Sequence, residues 1–219
     1  MRTLLVAFCT SATLLTSGYA QEATAPFTEA EREEIYARTI GKRVDAILGD
    51  LKIGDTNKAE RVRTVIATQY RSLRARDEAV DNLFNSLSRN APGVESNRHA
   101  VVKLLSKQLH EQFISKLSAD LSAAEIEAVK DRMTYNKVRV TYDAYCQIVP
   151  NLSADEKAMI LEQLKAARED AIDGGSADEK AAIFQIYKDR INAKLKTGGH
   201  DVEAATKAWE AKQQASAKP

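Results

Sequence analysis

The chain has 219 residues, with 32 Lys and Arg against 31 Asp and Glu, so its formal net charge at pH 7 is +1. A charge balance this close provides no long-range electrostatic field. It argues against a protein that binds nucleic acid or an anionic membrane surface mainly through charge. The chain is long enough to bury its own hydrophobic core in one domain, or in two small ones.

Residues 1–20 have the layout of a secretory signal peptide. Arg2 precedes an apolar core from Leu4 to Leu15, and the small residues Gly18 and Ala20 follow. The apolar run is too short, and too interrupted by Ser and Thr, to span a bilayer, which needs roughly 20 predominantly apolar residues. We therefore expect cleavage near Ala20 and a periplasmic or secreted protein without a stable membrane anchor.

The chain contains two cysteines, and Cys9 lies within the predicted signal peptide. Only Cys146 remains after cleavage, so no intramolecular disulfide can form, although an exported protein would meet oxidising conditions. Cys9 is also a poor lipid-attachment site, since Phe8 stands where a small residue is required. We therefore expect the stability of the protein to come from packing.

Four copies of the Ser/Thr-x-x-Glu capping box mark the starts of predicted helices, because the hydroxyl can accept from a free backbone N–H of the first turn. The boxes are Thr28 with Glu31, Ser122 with Glu125, Ser153 with Glu156, and Ser176 with Glu179. Apolar residues then recur at helical spacing. The predicted helices cover residues 29–48, 57–88, 97–117, 123–133, 154–172 and 177–195, with a last helix that carries Val202, Ala205 and Trp209.

The first two predicted helices have the clearest apolar faces. In the first, the expected core residues are Ile35, Val44, Ile47 and Leu48. In the second, they are Ile66, Leu73, Val80 and Leu87 at intervals of seven, beside Val62, Val65, Leu83 and Phe84. Together the patterns predict an all-α fold, a multi-helix bundle of about seven to eight helices with short loops. We expect one domain over residues 21–212 and a disordered tail over residues 213–219.

The segment Met133–Leu152 departs from the helical pattern and is the candidate binding site. It holds three of the seven tyrosines and the one cysteine outside the signal peptide. The run "KVRVT" at 137–141 favours an extended connection, because its β-branched residues are stiff at χ1, and "YDAYCQIV" then forms a short helix before Pro150.

Aromatic rings beside a few polar groups suit a sugar or a peptide. The candidate binding residues are Tyr135, Lys137, Arg139, Tyr142, Asp143 and Tyr145. The alternative is that the tyrosines fill the core between two helical halves, with Cys146 as a small buried hydrophobe.

The remaining motifs give only weak signals for metal binding or catalysis. His99 and His110 are eleven residues apart, about 16 Å along one helix, so one metal cannot bridge them. The turn "DAIDGGSADEK" lacks the alternating ligands of a calcium loop, and we interpret Gly174 and Gly175 as a helix stop. The sequence carries no nucleophile elbow, phosphate loop or dinucleotide fingerprint. It predicts no metal and no cofactor, and it assigns no catalytic residue. The sequence leaves open whether two of its acidic residues act as the catalytic pair of a glycosidase.

The run from Met133 to Leu195 resembles a family of secreted bacterial proteins that is defined only as a domain of unknown function. The similar features are Met133-Thr134-Tyr135, Val140-Thr141-Tyr142, Ala167-Arg168-Glu169, Asp173-Gly174-Gly175-Ser176, and Tyr187-Lys188 with Arg190-Ile191-Asn192. The similarity extends back through "AERVRTVIATQYRSL" and forward to "AWEAK". The resemblance implies an export signal, a helical fold and an association with enzymes that degrade plant polysaccharides such as pectins. It implies no catalytic residues.

Three functions follow as hypotheses. The first is a secreted, non-catalytic accessory protein of polysaccharide breakdown that binds a plant oligosaccharide or a secreted enzyme partner. The second is a periplasmic helical chaperone or stress protein, since repeated Leu-Ser-x-x-Glu helix starts and near-neutral charge would suit an extended cradle for unfolded clients. The third is an undescribed carbohydrate-active enzyme that uses Tyr, Arg or acidic groups.

Overall fold

The structure, a computed structural model, describes residues 27–86 and 93–216. In these ranges the chain forms eight α-helices and no strand, which confirms the predicted all-α multi-helix bundle. The helices are α1 (Glu29–Leu51), α2 (Thr56–Asn85), α3 (Val94–Ser118), α4 (Ala123–Met133), α5 (Lys137–Ile148), α6 (Ala154–Ala171), α7 (Ala177–Thr197) and α8 (Val202–Ser216). None of these described helices has the length and apolarity needed to cross a bilayer. The predicted signal peptide lies outside the described residues.

The helix starts follow the predicted capping boxes closely. At Thr28, Ser122 and Ser153, the hydroxyl accepts from the backbone three residues on, and the glutamate reaches back to the cap. At Ser176 only the first half forms: Glu179 N–H donates to Ser176 Oγ at 3.0 Å, while the Glu179 carboxylate accepts from Gly175 N–H at 2.7 Å. The glutamate therefore fixes the glycine turn that precedes α7 as well as the start of the helix.

The eight helices form two rings of four. In the first ring, α1 and α3 each pack against both α2 and α4, and in the second, α5 and α7 each pack against both α6 and α8. Each ring has its own buried core. Ile172, which directly follows α6, is fully buried in the core of the first ring, so the end of α6 inserts into the other half of the molecule.

Charged side chains also join the two rings, between α4 and α6. The Arg168 side chain is 4% exposed, and its guanidinium donates to Asp131 Oδ1 at 2.7 Å, to Glu169 Oε1 at 2.9 Å and to Glu127. Lys130 Nζ lies 2.9 Å from both Glu127 Oε1 and Glu169 Oε2. These five residues form an ionic network across the junction of the rings.

Three expectations about single elements are wrong. Residues 137–141 belong to α5 and do not form an extended connection. The low helix propensity of Val and Thr costs less than about 0.7 kcal/mol per residue. Burial of Val138 in the second core outweighs this cost. Ile35 is 43% exposed, because at about 100° per residue it lies about 140° around α1 from the buried Ile40. Leu83 is 55% exposed and falls just beyond the edge of the buried stripe of α2.

The end of the chain also differs from the expectation. Helix α8 continues to Ser216, which is four residues into the predicted disordered tail, because the Lys, Gln and Ala residues of this stretch are good helix formers. Residues 217–219, and Leu87 of the predicted second helix, lie outside the described residues.

Candidate binding site

The structure distributes the predicted binding residues over different surroundings. Tyr145 is 6% exposed and belongs to the second core. Its hydroxyl donates to Asn192 Oδ1 at 2.7 Å on α7, and burial raises the pKa of Tyr145 to about 12. This tyrosine therefore connects two helices of the core and has no face to offer a ligand.

The other predicted residues on α5 do not share one face. Tyr142 is half-buried and packs against the second core, and Lys137 Nζ lies 6.0 Å from the ring centroid of Phe184. Arg139 and Asp143 are exposed, and their spacing of four residues places them together on the outer side of the helix. The tyrosines and the exposed charges of α5 therefore point in different directions.

Tyr135 lies apart from α5, in the turn that connects α4 to α5, and it is 42% exposed. Its ring approaches Arg43 on α1, which in turn approaches Tyr70 on α2. Tyr36 joins them, because its hydroxyl donates to the Tyr70 main-chain carbonyl at 2.9 Å. We call these four residues, Tyr36, Arg43, Tyr70 and Tyr135, the Tyr–Arg site.

The turn that carries Tyr135 has a strained backbone. Tyr135 and Asn136 adopt φ values of 60° and 54°, a left-handed conformation that costs roughly 1–2 kcal/mol for a residue other than glycine. Hydrogen bonds hold the turn there: Asn136 N–H donates to the Asp131 carbonyl at 2.7 Å, and the buried Thr134 hydroxyl donates to the Lys130 carbonyl at 2.9 Å. Strained backbone that the surroundings enforce is common at functional sites.

Arg43 is the charged member of the Tyr–Arg site. Its guanidinium carbon lies 5.8 Å from the ring centroid of Tyr70 and 5.9 Å from that of Tyr135, within the range of cation–π attraction. Across residues 27–86 and 93–216, the Arg43 side chain forms no hydrogen bond and no ion pair. A guanidinium has five N–H donors, so Arg43 has donors that no described group accepts.

Two phenols of the site, those of Tyr36 and Tyr70, have raised pKa values. Burial raises the pKa of Tyr70 to about 12, although the positive charge of Arg43 opposes the rise. Burial also raises the pKa of Tyr36, against the charges of Arg74 and Arg71. Arg74 lies 4.4 Å from the Tyr36 ring centroid, but Glu33 and Glu78 pair with it at 2.8 and 2.7 Å. The Tyr–Arg site therefore combines three aromatic rings with one positive charge that no described carboxylate contacts.

A separate cleft of about 330 Å³ lies between α2, α3 and the start of α7. Its lining acids are Asp77, Asp81, Glu95 and Glu179. Each already has a partner: Arg76 for Asp77, Arg98 for Asp81, His99 for Glu95 and Gly175 N–H for Glu179. Because its carboxylates are engaged, this cleft is a weaker candidate than the Tyr–Arg site.

Sequence reasoning found Tyr135 but missed Tyr36, Arg43 and Tyr70. Tyr36 and Arg43 are seven residues apart, so they share a face of the first predicted helix, and this spacing was the one available signal. The approach of α2 and of the α4–α5 turn to that face depends on tertiary packing, which the local pattern does not encode.

Comparison with known proteins gives a family without an assigned activity. A search of the curated proteins found no match to the chain. The model of the family described as "Protein of unknown function (DUF3826)" matches residues 37–215, which is most of the chain and includes both helical rings. The match confirms the expected kinship with a domain of unknown function, and the chain belongs to the DUF3826 family.

Proposed function

We propose that this protein is a secreted, non-catalytic accessory protein that binds a glycan fragment at the Tyr–Arg site. The observation that supports the proposal is the exposed ring of Tyr135, which lies in a strained turn and near the guanidinium of Arg43. An exposed aromatic ring offers an apolar face on which a sugar ring can lie, and nearby donors can bind its hydroxyl groups. The signal-peptide layout and the sequence resemblance supply the expectation of export and of polysaccharides as the setting.

The chemistry of the site favours binding over acid–base catalysis. A general acid or base works best when its pKa lies near the operating pH. A guanidinium keeps its charge at physiological pH, and burial moves the pKa values of Tyr36 and Tyr70 further from neutrality. These groups can hold and orient a ligand, but they are poorly suited to transfer protons.

Binding can be tested by calorimetric titration of the mature protein with a panel of plant oligosaccharides. Tyr135→Ala removes the exposed ring, and we expect at least a tenfold loss of affinity with the helical circular dichroism unchanged. Tyr142→Ala is the comparison variant, because it truncates another tyrosine of the binding segment that the sequence predicts; we expect it to keep the affinity of the native protein.

The outcomes separate the hypotheses. Loss of binding in Tyr142→Ala alone would place the site on α5 and overturn our assignment. If no glycan of the panel binds, the proposal fails. Suppression of aggregation of a denatured client would then support the helical chaperone, and release of new products from the oligosaccharides would support the enzyme.

A further inference from the structure

We propose that the ligand of the Tyr–Arg site is an anionic sugar of the uronic acid class, whose carboxylate binds to Arg43. This inference rests on the proposed function, which requires only that a glycan binds at Tyr135, and it adds the charge of the ligand and the residue that selects it.

The first support is the contrast between Arg43 and most other arginines of α1 and α2. On α1, Arg32 and Arg38 pair with glutamates at 2.7 and 2.6 Å. On α2, Arg74 and Arg76 also pair with carboxylates. Arg43 is half-buried, yet the described part of the chain offers it no carboxylate within ion-pair distance. The rings of Tyr70 and Tyr135 attract the charge of Arg43, but they are not carboxylates that could accept its N–H donors. A half-buried guanidinium with unused donors therefore points to an acceptor that arrives from outside.

The second support is the electrostatic environment. The pKa of the buried Lys180 amine is lowered to about 8, mainly by burial; the charges of Asp173 and Glu179 oppose this lowering, and those of Arg43 and Arg76 add to it. Lys180 donates only to main-chain carbonyls. The positive charge of Arg43 is therefore felt at Lys180, and no described carboxylate lies within ion-pair distance of Arg43, so an anion bound at Arg43 would be electrostatically favourable.

The third support is the match between the site and the shape of a uronic acid. Such a sugar has an apolar C–H face and a planar carboxylate attached to one of its ring carbons. A guanidinium binds a planar carboxylate with two parallel N–H donors. Arg43 and the Tyr135 ring are neighbours, with 5.9 Å between the guanidinium carbon and the ring centroid, so one sugar residue can contact both. A sulfate ester would provide the same negative charge with a different geometry.

The inference can be tested with three trisaccharides of the same linkage: a uronic acid trimer, its carboxyl-reduced neutral form, and the reduced form with sulfate esters added. Calorimetric titration at low and moderate salt would give the dissociation constants. We expect the native protein to bind the uronic acid trimer at least 30-fold more tightly than the reduced trimer, with a preference that weakens as salt increases.

Two variants test the role of Arg43. Arg43→Gln should remove the preference, so that the uronic acid trimer and the reduced trimer bind with similar, weak affinity. Arg190→Gln removes an exposed arginine on α7 that lies 4.6 Å from the ring centroid of Tyr187, and it should leave the preference unchanged, as a control for a general effect of positive charge. Thermal unfolding of both variants would verify that they are folded.

Each result distinguishes the inference from the proposed function. Equal binding of the acidic and reduced trimers, with affinity that depends on Tyr135 but not on Arg43, would keep the proposed function and overturn the inference. Stronger binding of the sulfated trimer than of the uronic acid trimer would also overturn it, since the selected anion would be a sulfate. Absence of binding by all three trimers would remove the inference together with the proposed function.

Discussion

Lys180 is a buried lysine whose hydrogen bonds suit the neutral amine. The residue is 2% exposed, and its Nζ donates to the main-chain carbonyls of Ala171 and Ile172, at 3.0 Å each. A neutral amine has two N–H groups, and two carbonyls accept them. The third proton of an ammonium has no acceptor among the described residues, which agrees with a pKa that burial lowers to about 8.

This geometry predicts a pH dependence of stability. An unfolded lysine has a pKa of about 10.4, so between about pH 8 and pH 10.4 the unfolded chain keeps a proton that the native protein has released. The free energy of unfolding should therefore rise with pH in this window, by up to about 1.4 kcal/mol per pH unit. Lys180→Met removes the titrating group and should remove the rise. Urea unfolding at pH 8, 9 and 10 would measure both proteins.

The control for this prediction is an exposed lysine on α8. Lys207→Met should keep the slope of the native protein, since the Lys207 side chain is 73% exposed. Tyr70 and Tyr145, whose pKa values burial raises to about 12, make stability fall only above about pH 10, where unfolded phenols begin to ionise. An unchanged slope in Lys180→Met would show that another group titrates.

The residue scale also shows what the sequence could reveal about the site. Tyr135 stood out because it lies in a segment of unusual composition, and its exposure agrees with a role in binding. Tyr145 stood out for the same reason, but it packs in the core. Composition therefore identified an unusual segment without separating its exposed ring from its buried one, because that difference depends on which helices cover each ring.

At the scale of the elements, helix starts were the most predictable feature. A capping box depends on four consecutive residues, so the starts of α1, α4, α6 and α7 lie at the predicted positions. Helix α5 was partly missed because the choice between a strand-like connection and a helix was made by packing of Val138 and Tyr145 into the second core. Local propensity differences were too small to decide it.

The turn between α6 and α7 depends on glycine at position 175 for steric reasons. A Cβ on Gly175 would lie 1.7 Å from Asp77 Oδ2 and 2.9 Å from Asp77 Cγ. Asp77 has little freedom to move away, because its other oxygen accepts from Arg76 at 2.6 and 2.9 Å. The same Arg76 donates to the Asp173 carbonyl at 2.7 Å, so a displaced Asp77 disturbs the contact between α2 and this turn.

Gly175→Ala should therefore lower the free energy of unfolding by about 1–3 kcal/mol, the usual cost of forcing extra atoms into a packed site. Gly49→Ala is the matched control within α1, where no atom lies within 4 Å of the added Cβ. Alanine has the better helix propensity, so this variant should gain about 0.5–1 kcal/mol. Chemical denaturation of both variants would check the two signs, and a neutral Gly175→Ala would contradict the steric argument.

At the scale of the whole molecule, two rings of four helices depend on α6 for their connection. Ile172 lies in the first core, while Ile160 and Leu164 of the same helix region lie in the second. The Arg168 network adds ion pairs to α4. A helix that contributes to both cores should make the rings unfold together, because neither core is complete when α6 leaves.

Arg168→Met tests this coupling. The lost guanidinium is 4% exposed, and its acidic partners are 38–46% exposed, so they remain hydrated but repel one another across the junction. We expect a loss of about 2 kcal/mol, less than the 3–5 kcal/mol typical when the stranded charge is fully buried. Arg38→Met, at a pair whose side chains are 62% and 72% exposed, should change stability by less than about 0.5 kcal/mol.

The one tryptophan of the chain, Trp209, lies in α8 of the second ring, and it makes the coupling measurable. Its fluorescence reports on the second ring, whereas far-ultraviolet circular dichroism reports on the helices of both. In the native protein the two signals should change at the same urea concentration, as for a cooperative unit. In Arg168→Met we expect the two midpoints to separate, because the weakened junction lets one ring unfold first. Coincident midpoints in this variant would show that Ile172 and the shared packing of α6 are sufficient to couple the rings without the ionic network.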